Sequence, residues 1–303
     1  MVVTVVALVF LVLVYRTEAE KCDKPMTSRT KQHRLNLPTY MINLDYRYAA
    51  WQRAQTQWQP VLKRPLNRWR GVVGPWLYQA THAFAPHTVT SSFATYLQDH
   101  THHIGHLGAA LSHLNLWRHV AQTQSSAVLV LEDDVQPTAQ LTSQLDHYLE
   151  QLNRRDDQWD VLLLGFSCET QLCKECGDNE GLANSLIGGI TPVGYGIGLW
   201  AYVINGPRAA QLMLDHVLPL DWCVDHELAA QSAFRNRTQH RKVTPRTPHG
   251  LNESVNVRLH HKPGAIRLYG CIPHLVPHPG TFTCSEWSYT AHNPVSSYTS
   301  DTN

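Results

Sequence analysis

The chain has 303 residues, 43% of them apolar and 16% charged, below the roughly 25% charged residues of ordinary soluble domains. That balance excludes a chain disordered throughout and excludes a coiled coil. With 25 basic and 24 acidic side chains the formal net charge is +1, so no standing positive field recruits nucleic acid or an anionic membrane surface, and no nucleic-acid partner is expected.

Residues 1–20 read as a targeting segment. Val2 to Val14 are apolar apart from Thr4, and Arg16, Glu18, Glu20 and Lys21 follow. Such a run is shorter than the 17 or so residues that span a bilayer, and Thr17-Glu18-Ala19 offers small residues at a cleavage site. The expectation is a cleaved signal peptide, with a single short N-terminal membrane anchor as the second reading. Either one delivers the chain to the secretory-pathway lumen of the endoplasmic reticulum or Golgi, or, if cleaved, to the outside. Residues 21–37 are polar and basic, like a stem. One catalytic domain is expected over 38–284, and 285–303 is a polar tail rich in Ser, Thr and Asn.

Within the domain, short apolar runs alternate with helical patterns, the signature of an α/β sheet. Thr39 to Leu44 reads as the first strand and Tyr46 to Trp58 as a helix. Leu107, Ala110, Leu111, Leu114, Trp117 and Val120 recur at spacings of three and four, one face of a helix. Ala127 to Leu131 and Asp160 to Leu164 are buried strands, the second ended by Gly165. Leu199 to Ile204 is a third, and Gly206-Pro207 opens a helix running to about Val217. A last helix follows Asp221, reaching about Phe234. From there to Thr283, Pro, His and Gly obscure any strand.

The lumenal placement governs the seven cysteines. Cys168, Cys173 and Cys176 have C-x4-C-x2-C spacing, formally part of an iron-sulfur ligand set with Cys223, Cys271 or Cys284. In an oxidising lumen the expected state is disulfide, with Cys22 the odd residue. Asn236-Arg237-Thr238 and Asn252-Glu253-Ser254 are glycosylation sequons consistent with that compartment.

Chemistry concentrates at Glu132-Asp133-Asp134, directly after Ala127 to Leu131. Three carboxylates at the end of a buried strand repel one another, so something positive is expected beside them. Carboxyl ends of strands border the ligand crevice of open α/β sheets, and Mg²⁺ or Mn²⁺ prefers carboxylate and phosphate oxygens. Alternation points Glu132 and Asp134 one way as a metal pair able to bridge a diphosphate, and Asp133 the other, toward a ribose hydroxyl or a structural partner. Without a ligand, the same triplet is an acidic turn.

The order of segments resembles glycosyltransferase family 25, which includes lipooligosaccharide and procollagen galactosyltransferases. Tyr40-Met41-Ile42-Asn43-Leu44-Asp45 is similar to the family's opening strand. Gly108-Ala109-Ala110-Leu111-Ser112-His113 with Trp117 is similar to its Gly-x-Ala-Leu-Ser-His helix, and Leu131-Glu132-Asp133-Asp134-Val135 follows about 20 residues on. Trp159 to Gly165, Gly198 to Ile204 and Pro219-Leu220-Asp221 resemble later segments. The resemblance implies a GT-A-type nucleotide-sugar-binding fold with a mostly parallel central sheet flanked by helices. It also implies a UDP-sugar donor, UDP-galactose before UDP-glucose, with Mn²⁺ or Mg²⁺, and transfer with inversion to a hydroxyl of a glycan or glycoprotein acceptor. Where the family sets Arg directly after Asn-Leu-Asp, Tyr46 here precedes Arg47.

Asn43, Arg47, Ser112, His113 and Asp133 are therefore candidates for binding the nucleotide donor, with Glu132 and Asp134 on the metal. Each has an ordinary alternative: Asn43 as a turn residue, Ser112 and His113 as hydrogen-bonded core residues. An inverting transfer needs a base for the acceptor hydroxyl. Asp221 and Asp225, four residues apart near a helix start, are the candidates, although Asp221 would serve equally as a helix cap. Trp200, Trp222 and Trp287 suit stacking on a neutral sugar. A haloacid-dehalogenase-like phosphohydrolase fits less well, because Glu132 would occupy its nucleophilic Asp position. A non-catalytic carbohydrate-binding protein on a transferase fold remains the main alternative.

Overall fold

The computed structural model describes residues 37–62, 64–74, 77, 88–99, 104–167, 189–194, 196–234, 265–271 and 274–278. The chain divides into residues 1–35 and 36–303, and every described residue belongs to the second unit. The targeting segment, nearly all of the stem, the tail, both sequons, Trp287 and five of the cysteines fall outside the described residues. Among the described residues no helix is long and apolar enough to cross a membrane. Their two cysteines, Cys223 and Cys271, are free thiols, and the other cysteines of the expected disulfides lie outside the described residues.

The first element is β1 (Thr39–Asn43), then a 3-10 turn (Asp45–Arg47), helix α1 (Tyr48–Leu62) and strand β2 (Leu66–Arg70). Helices α2 (Ser91–Asp99) and α3 (Ile104–Ala121) lead to β3 (Val128–Glu132), α4 (Leu141–Arg155) and β4 (Val161–Leu163). After them come β5 (Ile190–Pro192), β6 (Ala201–Ile204), α5 (Gly206–Val217), α6 (Val224–Ala230) and β7 (Leu268–Cys271).

One seven-stranded sheet has the order β2-β1-β3-β6-β4-β7-β5. Pairs β1/β2, β1/β3 and β4/β7 are parallel, whereas β3/β6, β4/β6 and β5/β7 are antiparallel. The α/β class holds, with the sheet mixed rather than mostly parallel. β6 causes most of the difference: it inserts between β3 and β4 running against both, and a continuous apolar run carries no sign of its direction.

Val128 and Val130 of β3 alternate with Leu129 and Leu131, and all four are buried, as a strand covered on both faces requires. Val128 and Val130 join a core built from the apolar stripe of α3, from Met213 and Val217 of α5 and from Val224 and Leu228 of α6. Two small residues one helical turn apart seat α3. A Cβ on Gly108 would lie 2.6 Å from the Gly74 nitrogen and 2.7 Å from the Val72 oxygen. Beside it, the Ser112 hydroxyl donates to the Gly108 carbonyl and accepts from the Val72 amide, both at 2.7 Å. The Gly-x-Ala-Leu-Ser-His helix thus docks on the loop leaving β2 through a bare backbone face.

Candidate active site

The carboxyl ends of β1, β2 and β3 lie side by side, and β6 starts next to the end of β3, where the Glu132 amide donates to the Trp200 carbonyl at 2.8 Å. The acidic triplet stands at this edge. The strand ends at Glu132, so Asp133 and Asp134 sit in a turn and the three carboxylates part to different partners.

Asp133 turns toward β1. Its Oδ2 accepts from Asn43 Nδ2 at 2.6 Å and its Oδ1 pairs with Arg47 at 2.9 Å. Asn43 is fully used, because its Oδ1 accepts from Arg68 Nε at 2.7 Å and its Nδ2 also donates to the Arg47 carbonyl at 3.1 Å. Burial pushes the Asp133 carboxyl up, opposed by Arg47 and Asn43. Of the two roles open to Asp133, the geometry displays the structural one, and Arg47 reaches the triplet despite the intervening Tyr46. Arg68, on a strand whose sequence Leu66–Arg70 carries little apolar signal, also meets Asp45 at 3.1 Å. Arg70 pairs with Asp45 too, and that contact first, then the guanidinium of Arg68, holds the Asp45 carboxyl down. Arg47, paired with Asp133, supplies part of the positive charge that three adjacent carboxylates demand.

Glu132 points to α3. His113, buried at 2% exposure, has Nε2 3.1 Å from Glu132 Oε1 and Nδ1 2.8 Å from the Tyr202 hydroxyl on β6. Trp117 Nε1 donates to that hydroxyl at 2.8 Å. Burial raises the Glu132 carboxyl, the hydrogen bond with His113 opposes the rise, and Asp134 and Asp133 add to it.

Asp134 has His278 Nε2 3.9 Å from its Oδ2. Its Oδ1 is buried without a hydrogen-bond partner. A carboxylate oxygen shielded from water and left unsatisfied is costly unless a cation or donor meets it, so Asp134 fits a divalent ion, with Glu132 two residues earlier as the neighbouring carboxylate that would join it. No group of three His, Cys, Asp or Glu side chains among the described residues is arranged to hold a metal. Mg²⁺-type sites characteristically use one or two carboxylates and complete their shell with phosphate and water. His278 lies in a region where prolines obscure periodicity, and only its contact with the Trp200 ring and Asp134 brings it to the site.

Ser112 is buried with its hydroxyl engaged by Gly108 and Val72, which places it at the helix seat. Asp160 is likewise buried, held by Arg208 at 2.6 Å and by the Arg267 amide at 2.8 Å.

The second acidic group surrounds the start of α6. Asp221 is partly exposed, and its Oδ1 accepts from the Thr90 hydroxyl at 2.6 Å and the Ser92 hydroxyl at 3.0 Å. It makes these bonds just before α6, whose N-cap is Cys223. Asp225 divides its oxygens between backbone amides: Oδ2 accepts from Gly198 at 3.1 Å and Oδ1 from His226 at 2.9 Å. It therefore ties α6 to the segment entering β6. Trp222 lies against Tyr96 and Phe93, with ring centroids 5.1 and 5.7 Å away, so an aromatic cluster forms at the residue that follows Asp221. Glu227, which sequence periodicity turns away from Asp221, is buried beside it. Burial first, then the charge of Asp221, pushes the Glu227 carboxyl up to about 7, opposed by amides of Asp221 and Trp222. Its Oε1 is buried without a partner. Its place near the same helix start as Asp221 and Asp225 is plain in the sequence, but helical spacing points it elsewhere, and only burial in the fold brings it beside Asp221.

Comparison with known proteins bears on the same stretch. Residues 91–227 match the profile of "Glycosyltransferase family 25 (LPS biosynthesis protein)", a span from α2 through the triplet to Glu227. The chain is 27% identical over 121 residues to "Probable inactive glycosyltransferase 25 family member 3" of Rattus norvegicus, covering 39% of this chain and 20% of that protein. Identity to "Inactive glycosyltransferase 25 family member 3" is 27% over 121 residues in Homo sapiens and 28% over 126 in Mus musculus. These cover 39% and 40% of this chain, and 19% and 20% of the relatives. The match thus spans about a fifth of the length of these curated relatives.

Proposed function

Taking as premise that residues 91–227 carry a glycosyltransferase family 25 domain, we propose that the protein is a metal-dependent hexosyltransferase of the secretory pathway. It moves galactose from UDP-galactose to a hydroxyl of a glycan or glycoprotein with inversion. The observation that carries this reading is the buried, unpartnered Asp134 Oδ1 beside Glu132 at the carboxyl end of β3.

Glu132 and Asp134 hold Mn²⁺ or Mg²⁺ in this reading. The ion, when bound, neutralises the diphosphate of the leaving UDP. Arg47, fixed by Asp133, adds positive charge at the same edge, and Asn43 holds the turn that carries it. Asp221 acts on the acceptor. Its carboxylate takes the hydroxyl proton as the acceptor oxygen bonds the anomeric carbon and the bond from that carbon to the diphosphate breaks. Thr90 and Ser92 orient Asp221 for this, while Trp222 and Tyr96 offer apolar faces to a pyranose. Asp225, committed to two amides, keeps α6 in place and is the weaker base.

A second reading is a carbohydrate-binding protein without turnover, favoured by the names of the relatives, which call those proteins inactive. UDP release from UDP-galactose with Mn²⁺ and a panel of sugar acceptors separates the two. Release that EDTA abolishes supports transfer, whereas sugar binding with no release from any donor supports the binder.

A further inference from the structure

Trp117, Tyr202, His113 and Glu132 form a line of polar contacts running from the core to the acidic edge. Trp117 and Tyr202 are fully buried and His113 nearly so, while Glu132 at the far end keeps a third of its side chain exposed. The donors and acceptors along this line are not interchangeable. An indole N–H only donates, so Trp117 Nε1 gives its proton to the Tyr202 oxygen at 2.8 Å. The Tyr202 hydroxyl then has one proton of its own to place. Buried at 0% exposure, it has His113 Nδ1, 2.8 Å away, as its neighbouring acceptor. If Nδ1 carried a proton, the tyrosine proton would face a donor in a buried site, which forfeits its solvation without return. Nδ1 must therefore accept, and the imidazole proton sits on Nε2, 3.1 Å from Glu132 Oε1.

We propose that Tyr202, set by Trp117, fixes His113 as the neutral Nε2–H tautomer and thereby aims one carboxylate oxygen of Glu132. Tyr202 and His113 are positioning residues: they act through Glu132. The inference rests on the reading of Glu132 as a cation ligand only for its consequence, because the tautomer follows from the hydrogen bonds alone. Orientation of a ligand carboxylate by its outer hydrogen bonds typically changes metal affinity by about 10- to 100-fold.

The test uses the full chain labelled with ¹⁵N-histidine. Long-range proton–nitrogen spectra report which ring nitrogen is protonated, and His113→Gln assigns the signal. The wild-type ring is expected as Nε2–H. Glu132→Ala, at a partly exposed position, is expected to keep Nε2–H, because Tyr202 and not the carboxylate dictates it; adding Tyr202→Phe is expected to release the ring to both tautomers. An Nδ1–H ring or an imidazolium in the wild type, or loss of the single tautomer in Glu132→Ala, overturns the proposal. Mn²⁺ titration in the presence of UDP, read from the spin-resonance signal of free Mn²⁺, is the second arm. Tyr202→Phe alone should weaken Mn²⁺, by up to about tenfold, with the fold checked by circular dichroism, and unchanged affinity removes the positioning role. Should the wild type take up no Mn²⁺, the metal reading falls while the nitrogen spectrum still decides the tautomer.

Discussion

Glu227 shows how one carboxyl couples the site to stability. Its folded value near 7 lies above the ordinary 4.5, so between those values the folded state holds a proton that the unfolded state has lost. Stability from this group is therefore present at low pH, falls as pH rises from about 4.5 to about 7, and is level above that. The span corresponds to about 3 kcal/mol. Glu227→Gln, which cannot ionise, should gain stability relative to wild type across that window, measured as the difference in urea midpoints between pH 5 and pH 8. Parallel pH profiles for the two proteins would mean that Glu227 is solvated. Asp221 makes the contrasting case: its partners are hydroxyls and its side chain is partly exposed. Asp221→Asn should lower turnover by roughly 100-fold, as loss of a positioned base does, and leave UDP affinity unchanged, since the base acts on the acceptor. Full turnover in that variant reduces Asp221 to a residue that fastens Thr90 and Ser92.

At the scale of elements, the sequence motif of α3 has a mechanical reason. Alanine at position 108 would favour helix by about 1 kcal/mol, yet its Cβ would meet backbone atoms of Gly74 and Val72 that cannot rotate away. The overlap decides the sign. Gly108→Ala should destabilise by about 1–3 kcal/mol, read from denaturant midpoints, and equal or greater stability would show that the 72–74 loop yields. The periodicity of α3 was plain in the sequence, as were β1, β3, β4, β6 and α5, each a compact apolar run or an opening Gly-Pro. Others were passed over for separate reasons. β2 (Leu66–Arg70) pairs with β1 but has only Leu66 and Trp69 as apolar side chains. β5 is three residues long, and β7 lies among glycine and proline. For α4 the signal existed, since Leu141, Leu145, Tyr148, Leu149 and Leu152 repeat at helical spacing and are all buried. The helix after Asp221 ends at Ala230, short of Phe234, because Gln231 and Ser232 turn to pair with Ile266.

At the scale of the molecule, the triplet and Asp221 were legible because charge at the end of an apolar run is conspicuous. Their surroundings were less so, because Arg68, Tyr202 and His278 arrive from distant parts of the chain through sheet pairing and loop return. The same long-range pairing places β6 antiparallel beside β3 and so sets Tyr202 against His113 and Trp200 against Glu132. The central claim is that this assembled edge runs a metal-dependent sugar transfer, and the most direct measurement is release of UDP from UDP-galactose by wild type and Asp134→Asn, with Mn²⁺ and with EDTA. Loss of a cation clamp should cost roughly 100-fold or more in turnover, so the account predicts release by wild type with Mn²⁺ alone and collapse in EDTA and in Asp134→Asn. Equal release in all conditions, or none by wild type from any nucleotide sugar, would contradict it.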